Sequence, residues 1–176
     1  MLLPLGDQPV LQRVLEGVLA SKVREVICVV SNLESARRHL TIENERLIWL
    51  VNYGADGSPN SSLSAGLWAI DPNSDGVLFL AGDQPFIRSE LIDALIERFE
   101  NSDALIVAPS FQGQARNPLL FRRELFPEIL KFTGDRSGHA LLEKNRDQTE
   151  LVPWGEEIPF VDLDARADYE RLKEPV

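Results

Sequence analysis

Cysteine is almost missing from this chain: Cys28 is the only one in 176 residues. That excludes an intrachain disulfide framework and a cysteine-rich zinc site. Cys28 lies within Val26-Ile27-Cys28-Val29-Val30, where a thiol reads as a buried and inert side chain. Histidine is nearly as scarce. His39 and His139 stand far apart, with no metal-ligand spacing, and read as partly exposed helix residues. No apolar run approaches the length that crosses a membrane. Met1-Leu2-Leu3-Pro4-Leu5 has neither the basic region nor the long apolar core of a signal peptide, so the cytoplasm is the expected compartment. Positive charge is in deficit, with 18 Lys and Arg against 28 Asp and Glu and a net charge of −10. Such a surface repels nucleic-acid backbones and anionic membranes, and neither is an expected partner. A small anionic substrate stays possible, because Mg²⁺ can reverse the field at one site. No glycine-rich phosphate loop stands ahead of Met1-Leu2-Leu3-Pro4-Leu5-Gly6.

What is there suits one soluble domain over residues 1–176, with 44% apolar and 26% charged residues. After the turn at Leu5-Gly6-Asp7-Gln8-Pro9, the residues Val10, Leu11, Val14, Leu15 and Val18 form one helical face. The pattern then predicts strands at 25–30 and 47–51 with a short helix at 33–40 between them. A polar loop at 52–60 leads into a helix at 61–70. Further strands are expected at 104–108, 118–121, 150–152 and 160–163. Further helices are expected at 90–99, 124–131, 137–144 and 165–172, with Ser89 as the N-cap of the first of these. Strands alternating with helices imply an α/β fold with a mostly parallel sheet covered on both faces. Trp49, Trp68 and Trp154 each sit in or beside an apolar run and read as packing residues.

The most informative stretch is Val77-Leu78-Phe79-Leu80-Ala81-Gly82-Asp83-Gln84-Pro85. A continuous apolar run reads as a strand buried on both faces, and Gly-Asp-Gln-Pro ends it. In open α/β sheets ligands bind beyond the carboxyl ends of strands. Asp83 therefore stands where a carboxylate could hold a divalent cation against a phosphate. The plainer alternative is a turn aspartate, since Gly-Asp-x-Pro is good turn chemistry.

Six segments in order resemble the MobA-like molybdenum-cofactor nucleotidyltransferase family. Leu2-Leu3-Pro4-Leu5-Gly6-Asp7-Gln8-Pro9-Val10-Leu11 is similar to its LLPLGGKPLL, and Ser61-Ser62-Leu63-Ser64-Ala65-Gly66-Leu67 to its SSSLRAGL. Gly82-Asp83-Gln84-Pro85 matches its GDQP, and Ala115-Arg116-Asn117-Pro118-Leu119-Leu120-Phe121 is similar to RGHPVLF. Gly134-Asp135-Arg136-Ser137-Gly138-His139-Ala140-Leu141-Leu142 resembles GDRGARALL, and Asp162-Leu163-Asp164 with Asp168-Tyr169 resembles DIDTPEDY. GDQP and the serine-rich helix are most similar to the cytidylyltransferase-like branch. The family's opening LAAGxSxRMGxxK supplies its first, central strand and a loop that cradles triphosphate, and has no counterpart in the chain. The resemblance thus implies a Rossmann-like, three-layer nucleotidyltransferase sheet missing its first strand, with two strands left without their shared neighbour. It also implies that these 176 residues alone do not turn over.

The implied reaction is Mg²⁺-dependent transfer of CMP, or GMP, from CTP or GTP to molybdopterin, with release of pyrophosphate. Asp83 becomes the principal metal ligand and catalytic residue, with Asp162 or Asp164 as the second carboxylate. One of that pair could instead cap the final helix. Asn52, Ser61, Ser62 and Gly82 join Asp83 as nucleotide-binding residues, although the two serines also suit ordinary helix capping. Gln84, Arg116 and Asn117 are the expected contacts to the second substrate, with a solvated Arg116 as the alternative. Two other readings stay open: a nucleotidyltransferase acting on a sugar phosphate, and a non-catalytic accessory domain that serves a molybdenum hydroxylase apoenzyme.

Overall fold

A tight turn opens the chain. Gly6 takes φ of 68°, which favours glycine, and folds β1 (Pro4–Leu5) back on β2 (Gln8–Pro9). The computed structural model describes residues 2–52, 59–131 and 137–163. Helix α1 (Val10–Leu19) buries the expected face of Val10, Leu11, Val14, Leu15 and Val18. Its C-terminal carbonyls would otherwise be orphaned. Arg46 reaches across to satisfy that end, donating to the carbonyls of Leu19, Ser21 and Val23.

Strand β3 (Val26–Val30) pairs in parallel with β4 (Leu47–Val51), and α2 (Leu33–His39) makes the crossover. Asn32 caps α2 by accepting from the Ser35 N–H at 2.8 Å. Then come α3 (Pro59–Ala69), β5 (Gly76–Phe79) and α4 (Ser89–Glu100). The cap position of α4 is Arg88, and Ser89 is already helical, so the expected serine cap is not made. β6 (Ile106–Phe111), β7 (Gln114–Ala115) and β8 (Leu119–Arg122) follow. A short 3₁₀ turn and α5 (Phe126–Ile129) succeed them, then α6 (Ser137–Lys144) and β9 (Thr149–Pro153).

β6 is the spine of the larger sheet. It pairs antiparallel with β8 and parallel with β9, and β5 lies outside β8, antiparallel to it. The α/β class stands, but this sheet is mixed. The cause is local: Gln112 (φ 52°) and Gly113 (φ 77°) reverse the chain into β7, and β8 then inserts between β5 and β6. Ile106, Val107 and Ala108 are wholly buried, as a strand covered on both faces requires. The strand expected at 160–163 is instead a 3₁₀ turn (Ile158–Phe160) and irregular chain. The helix expected at 165–172 lies outside the described residues. Among the described residues no helix is long and apolar enough to cross a membrane.

The sheet is in two pieces. β3 pairs with β4 alone, and β5 with β8 alone, among the described residues. Between them lies a cleft of about 1250 Å³ lined along the full length of both strands. The N–H of Val26 and the carbonyl of Val30 face the β4 side, bonded to Arg46 and Asn52. Alternation then turns the main-chain groups of Ile27 and Val29 toward the cleft. On β5 the Asp75 carbonyl faces the β8 side by its bond from Arg123 N–H, so Gly76 and Leu78 face the cleft.

Helices close the cleft above and below. On one face Val14 and Val18 of α1 and Leu91 and Ile92 of α4 pack with Val26, Leu78 and Leu80. On the other, α3 faces Val29 at Gly66, where a Cβ would stand 3.5 Å from Val29 Cγ2, and Leu67 and Ile70 pack in a cluster with Val77 and Phe79. Trp68 of the same helix is 78% exposed, which corrects its reading as a packing residue. One glycine is sterically required here. A Cβ on Gly17 of α1 would sit 2.6 Å from the carbonyl oxygen of Ile87.

Two outcomes are expected. The amides of Ile27, Val29, Gly76 and Leu78 exchange with solvent deuterium roughly 100-fold faster or more than those of Ile106 and Val107. Equal protection would mean that the two strand edges are not open. Gly17→Ala, ordinarily a stabilising change in a helix, here lowers stability by about 1–3 kcal/mol, because backbone cannot yield as a side-chain tip can. Thermal melting checks the sign, and an unchanged or raised Tm would refute the close approach.

Candidate functional site

β5 runs out of the sheet at Phe79, and the chain then turns at Gly82-Asp83-Gln84-Pro85. The turn is closed by the Ile87 N–H on the Gln84 carbonyl at 3.2 Å and is pressed against α1 at Gly17. Gly82 and Asp83 therefore emerge at the end of β5 on the wall of the cleft. Cys28 lines the same cleft from β3, and burial pushes its thiol up from 9.0 to about 11, so it stays protonated and inert near neutral pH.

The opposite wall is built from the end of β4. Asn52 follows Val51 and donates its main-chain N–H to the Val30 carbonyl at 2.9 Å. Its side-chain amide donates to the hydroxyls of Ser61 at 2.8 Å and Ser62 at 3.4 Å in the first turns of α3. Asn52, Ser61 and Ser62 thus form one polar cluster, and Asn52 and Ser62 line the cleft with Asp83.

A C-terminal arm reaches the Asp83 turn from the other side. Trp154 packs in the cluster of Ile87 and Leu91, and Phe160 lies 6.5 Å from Phe111 between ring centres. Glu156 pairs with Arg88 at 3.2 Å, an exposed pair of little energetic weight. The arm ends in two direct links. The Leu163 N–H donates to the Asp83 carbonyl at 2.9 Å, and the Gln84 side-chain amide donates to Asp162 Oδ1 at 2.7 Å. The stretch that carries Asp162, far away in sequence, is thereby tied to the turn that carries Asp83.

Gln84 itself is 2% exposed, and its amide is committed to Asp162 rather than presented on the cleft wall. Asn117 lines the cleft, beside the cis bond to Pro118. Arg116 holds the Pro109 carbonyl through its main-chain N–H at 2.9 Å, and its buried Nε finds no partner among the described residues. Arg116 and Ser61 are not on the cleft wall. Asp164, Asp135 and Arg136 lie outside the described residues.

His139, read only as a helix residue, also lines the cleft from α6. Its place follows from Gly138, whose missing side chain lets α6 approach Leu119, where a Cβ would stand 3.1 Å from Cδ1. The adjacent Gly138-His139 pair within the family-like segment was the available signal. Among the described residues no group of three or more His, Cys, Asp or Glu gathers as a metal cage.

A family model of the MobA-like NTP transferase domain matches residues 1–149. A probable molybdenum cofactor guanylyltransferase of Methanosarcina mazei is 25% identical over 146 residues, which are 80% of this chain and 63% of that protein. This chain therefore spans less than two thirds of that relative. Another protein of the same description, from Thermococcus sibiricus, is 21% identical over 180 residues, 98% of this chain and 88% of its own. The manganese complex of Rv0371c from Mycobacterium tuberculosis superposes with a TM-score of 0.81 at 23% identity, covering 99% of this chain and 90% of that one. At that identity the likeness speaks to the fold. With the family model spanning all but its C-terminal part, the chain belongs to the MobA-like NTP transferase domain family.

Proposed function

We propose that the chain is a nucleotidyltransferase domain that transfers a nucleotidyl group from a nucleoside triphosphate to molybdenum cofactor. One observation supports the reading: Asp83 lines the same cleft as Asn52 and Ser62, and the arm that carries Asp162 ends on the Asp83 turn, through the Leu163 N–H on the Asp83 carbonyl and the Gln84 amide on Asp162. The relatives' names favour GTP as donor, whereas the sequence resemblance favours CTP.

The donor set fits a divalent magnesium ion. Two carboxylates, without nitrogen or sulfur, suit a hard cation that takes one or two side chains and completes its shell with phosphates and waters. Asp83 and Asp162 would hold it, with Asp164 as the alternative to Asp162. When bound, the ion neutralises the charge that grows on the phosphates. That manganese complexes the Mycobacterium tuberculosis protein of like fold is in keeping with this assignment.

In the transfer, a terminal phosphate oxygen of the cofactor forms a bond to the α-phosphorus. The α–β anhydride bond breaks, and its electron pair leaves with pyrophosphate. The nucleophile is already anionic, so no side chain needs to act as a strong base. The residues then work by positioning. Asn52, Ser61 and Ser62 offer amide and hydroxyl groups to the nucleotide, and Gly82 leaves room at the turn. Asn117, on the cleft wall, and the neighbouring Arg116 suit the acceptor's phosphate.

The test is pyrophosphate release by the protein purified from its native source, with Mg²⁺, molybdenum cofactor and GTP or CTP in turn. Release is expected with one of the two, and Asp83→Asn lowers kcat/KM roughly 100-fold or more, the scale of losing a main electrostatic group. No release with either nucleotide would sink the enzyme reading and favour the accessory one.

A further inference from the structure

We propose that Gln84 is a positioning residue: its buried side-chain amide fixes Asp162 so that the second carboxylate stands beside Asp83 ready to ligate a divalent cation. The inference rests on the metal reading above and assigns a new role to a residue that the sequence suggests as a substrate contact.

The argument begins with what burial costs. A carboxamide taken out of water is destabilising for each polar half left unsatisfied. Gln84 is 2% exposed, and only half of it is satisfied. Nε2 donates to Asp162 Oδ1 at 2.7 Å, while Oε1 has no partner among the described residues. The orientation is fixed by chemistry, since an ionised carboxylate only accepts and the NH₂ end must face it.

As a packing element this is a poor choice. An apolar side chain of the same length would fill the space with no stranded acceptor. What the amide adds is direction. Asp162 lies on an exposed stretch of irregular chain, where neither helix nor strand restricts its rotamer. A short, charge-assisted bond from the turn pins one of its oxygens and with it the rotamer. The main-chain bond from Leu163 to Asp83 sets the register of the two carboxylates, and Gln84 sets the aim of the second. Orienting groups of this kind commonly change metal affinity by about 10–100-fold when removed.

The probe is Mn²⁺ alone, followed by loss of the free-ion paramagnetic resonance signal, on the protein from its native source and on variants of it. Gln84→Leu and Gln84→Met both remove the donor at nearly constant volume, so one serves if the other fails to fold. Each is expected to weaken Mn²⁺ binding by about 10–100-fold, while Tm holds or rises. A role in packing alone would lower Tm and leave the affinity within twofold of wild type, and that outcome would overturn the proposal. Asp83→Asn separates the two levels of the argument. Wild-type binding that is lost in Asp83→Asn but kept in both Gln84 variants refutes the role of Gln84 and spares the metal reading. Wild-type protein that binds no Mn²⁺, or Asp83→Asn that binds as tightly, overturns both.

Discussion

The structure depends on side-chain packing doing what a hydrogen-bond ladder does in most sheets. Among the described residues β3 and β5 do not pair with one another, and α1, α3 and α4 hold the β3–β4 ribbon to the larger sheet. A two-stranded ribbon has marginal stability in water by itself. Here its apolar residues are shared with the larger body: Val26 packs in the same cluster as Leu78, Leu80, Leu91 and Ile92. Dispersion and apolar burial are non-directional, so they tolerate the seam. The price is a pair of strand edges whose main-chain groups turn into a cleft, with half-buried side chains along both.

The candidate site sits at one end of that seam, which explains its makeup. Asn52 and Ser62 come from the ribbon side, Asp83 from the end of β5, and Asp162 from the C-terminal arm. No single element carries two of these groups in a fixed relation, apart from the neighbouring Ser61 and Ser62. Their geometry is therefore as rigid as the contacts between elements. Gly17, by admitting the Ile87 carbonyl to within van der Waals reach of α1, holds the Asp83 turn to the same helix that bridges the seam. Gln84 and Leu163 hold the arm to the turn. A change at the seam reaches the carboxylates through these contacts without altering any of them.

Local sequence was a good guide wherever local physics decides. The face of α1, the β3–α2–β4 crossover and the strand leading to Asp83 follow from periodicity and punctuation, and the structure has them. What the residues could not reveal is pairing between distant segments. The insertion of β8 between β5 and β6 depends on a reversal at Gln112-Gly113, and nothing in a short apolar run states which neighbour it will choose. The 160–163 run is similar: Phe160 and Val161 look like strand residues, but Pro159 and the docking of the arm on Phe111 impose a 3₁₀ turn instead. Gln84 was legible as part of a motif and not as a buried donor, because its partner lies on the far side of the chain.

Charge poses the remaining constraint on function. The chain carries a net charge of −10, and the nucleotidyl-transfer reading asks it to bring together two substrates that are themselves anionic. Two carboxylates at the site would repel either of them, so carboxylates are an asset there only when a cation lies between them and the phosphates. The surrounding groups are consistent with that division of labour. Asn52, Ser61, Ser62 and Asn117 are neutral and offer direction rather than charge. Arg116 supplies a permanent positive charge close to Asn117 without standing on the wall itself. On that reading a site built this way would attract free phosphate esters weakly and gain most of its affinity for metal-bound ones. Dependence on the metal would then arise in binding before it arises in chemistry, and the aim of Asp162 would matter more than its burial.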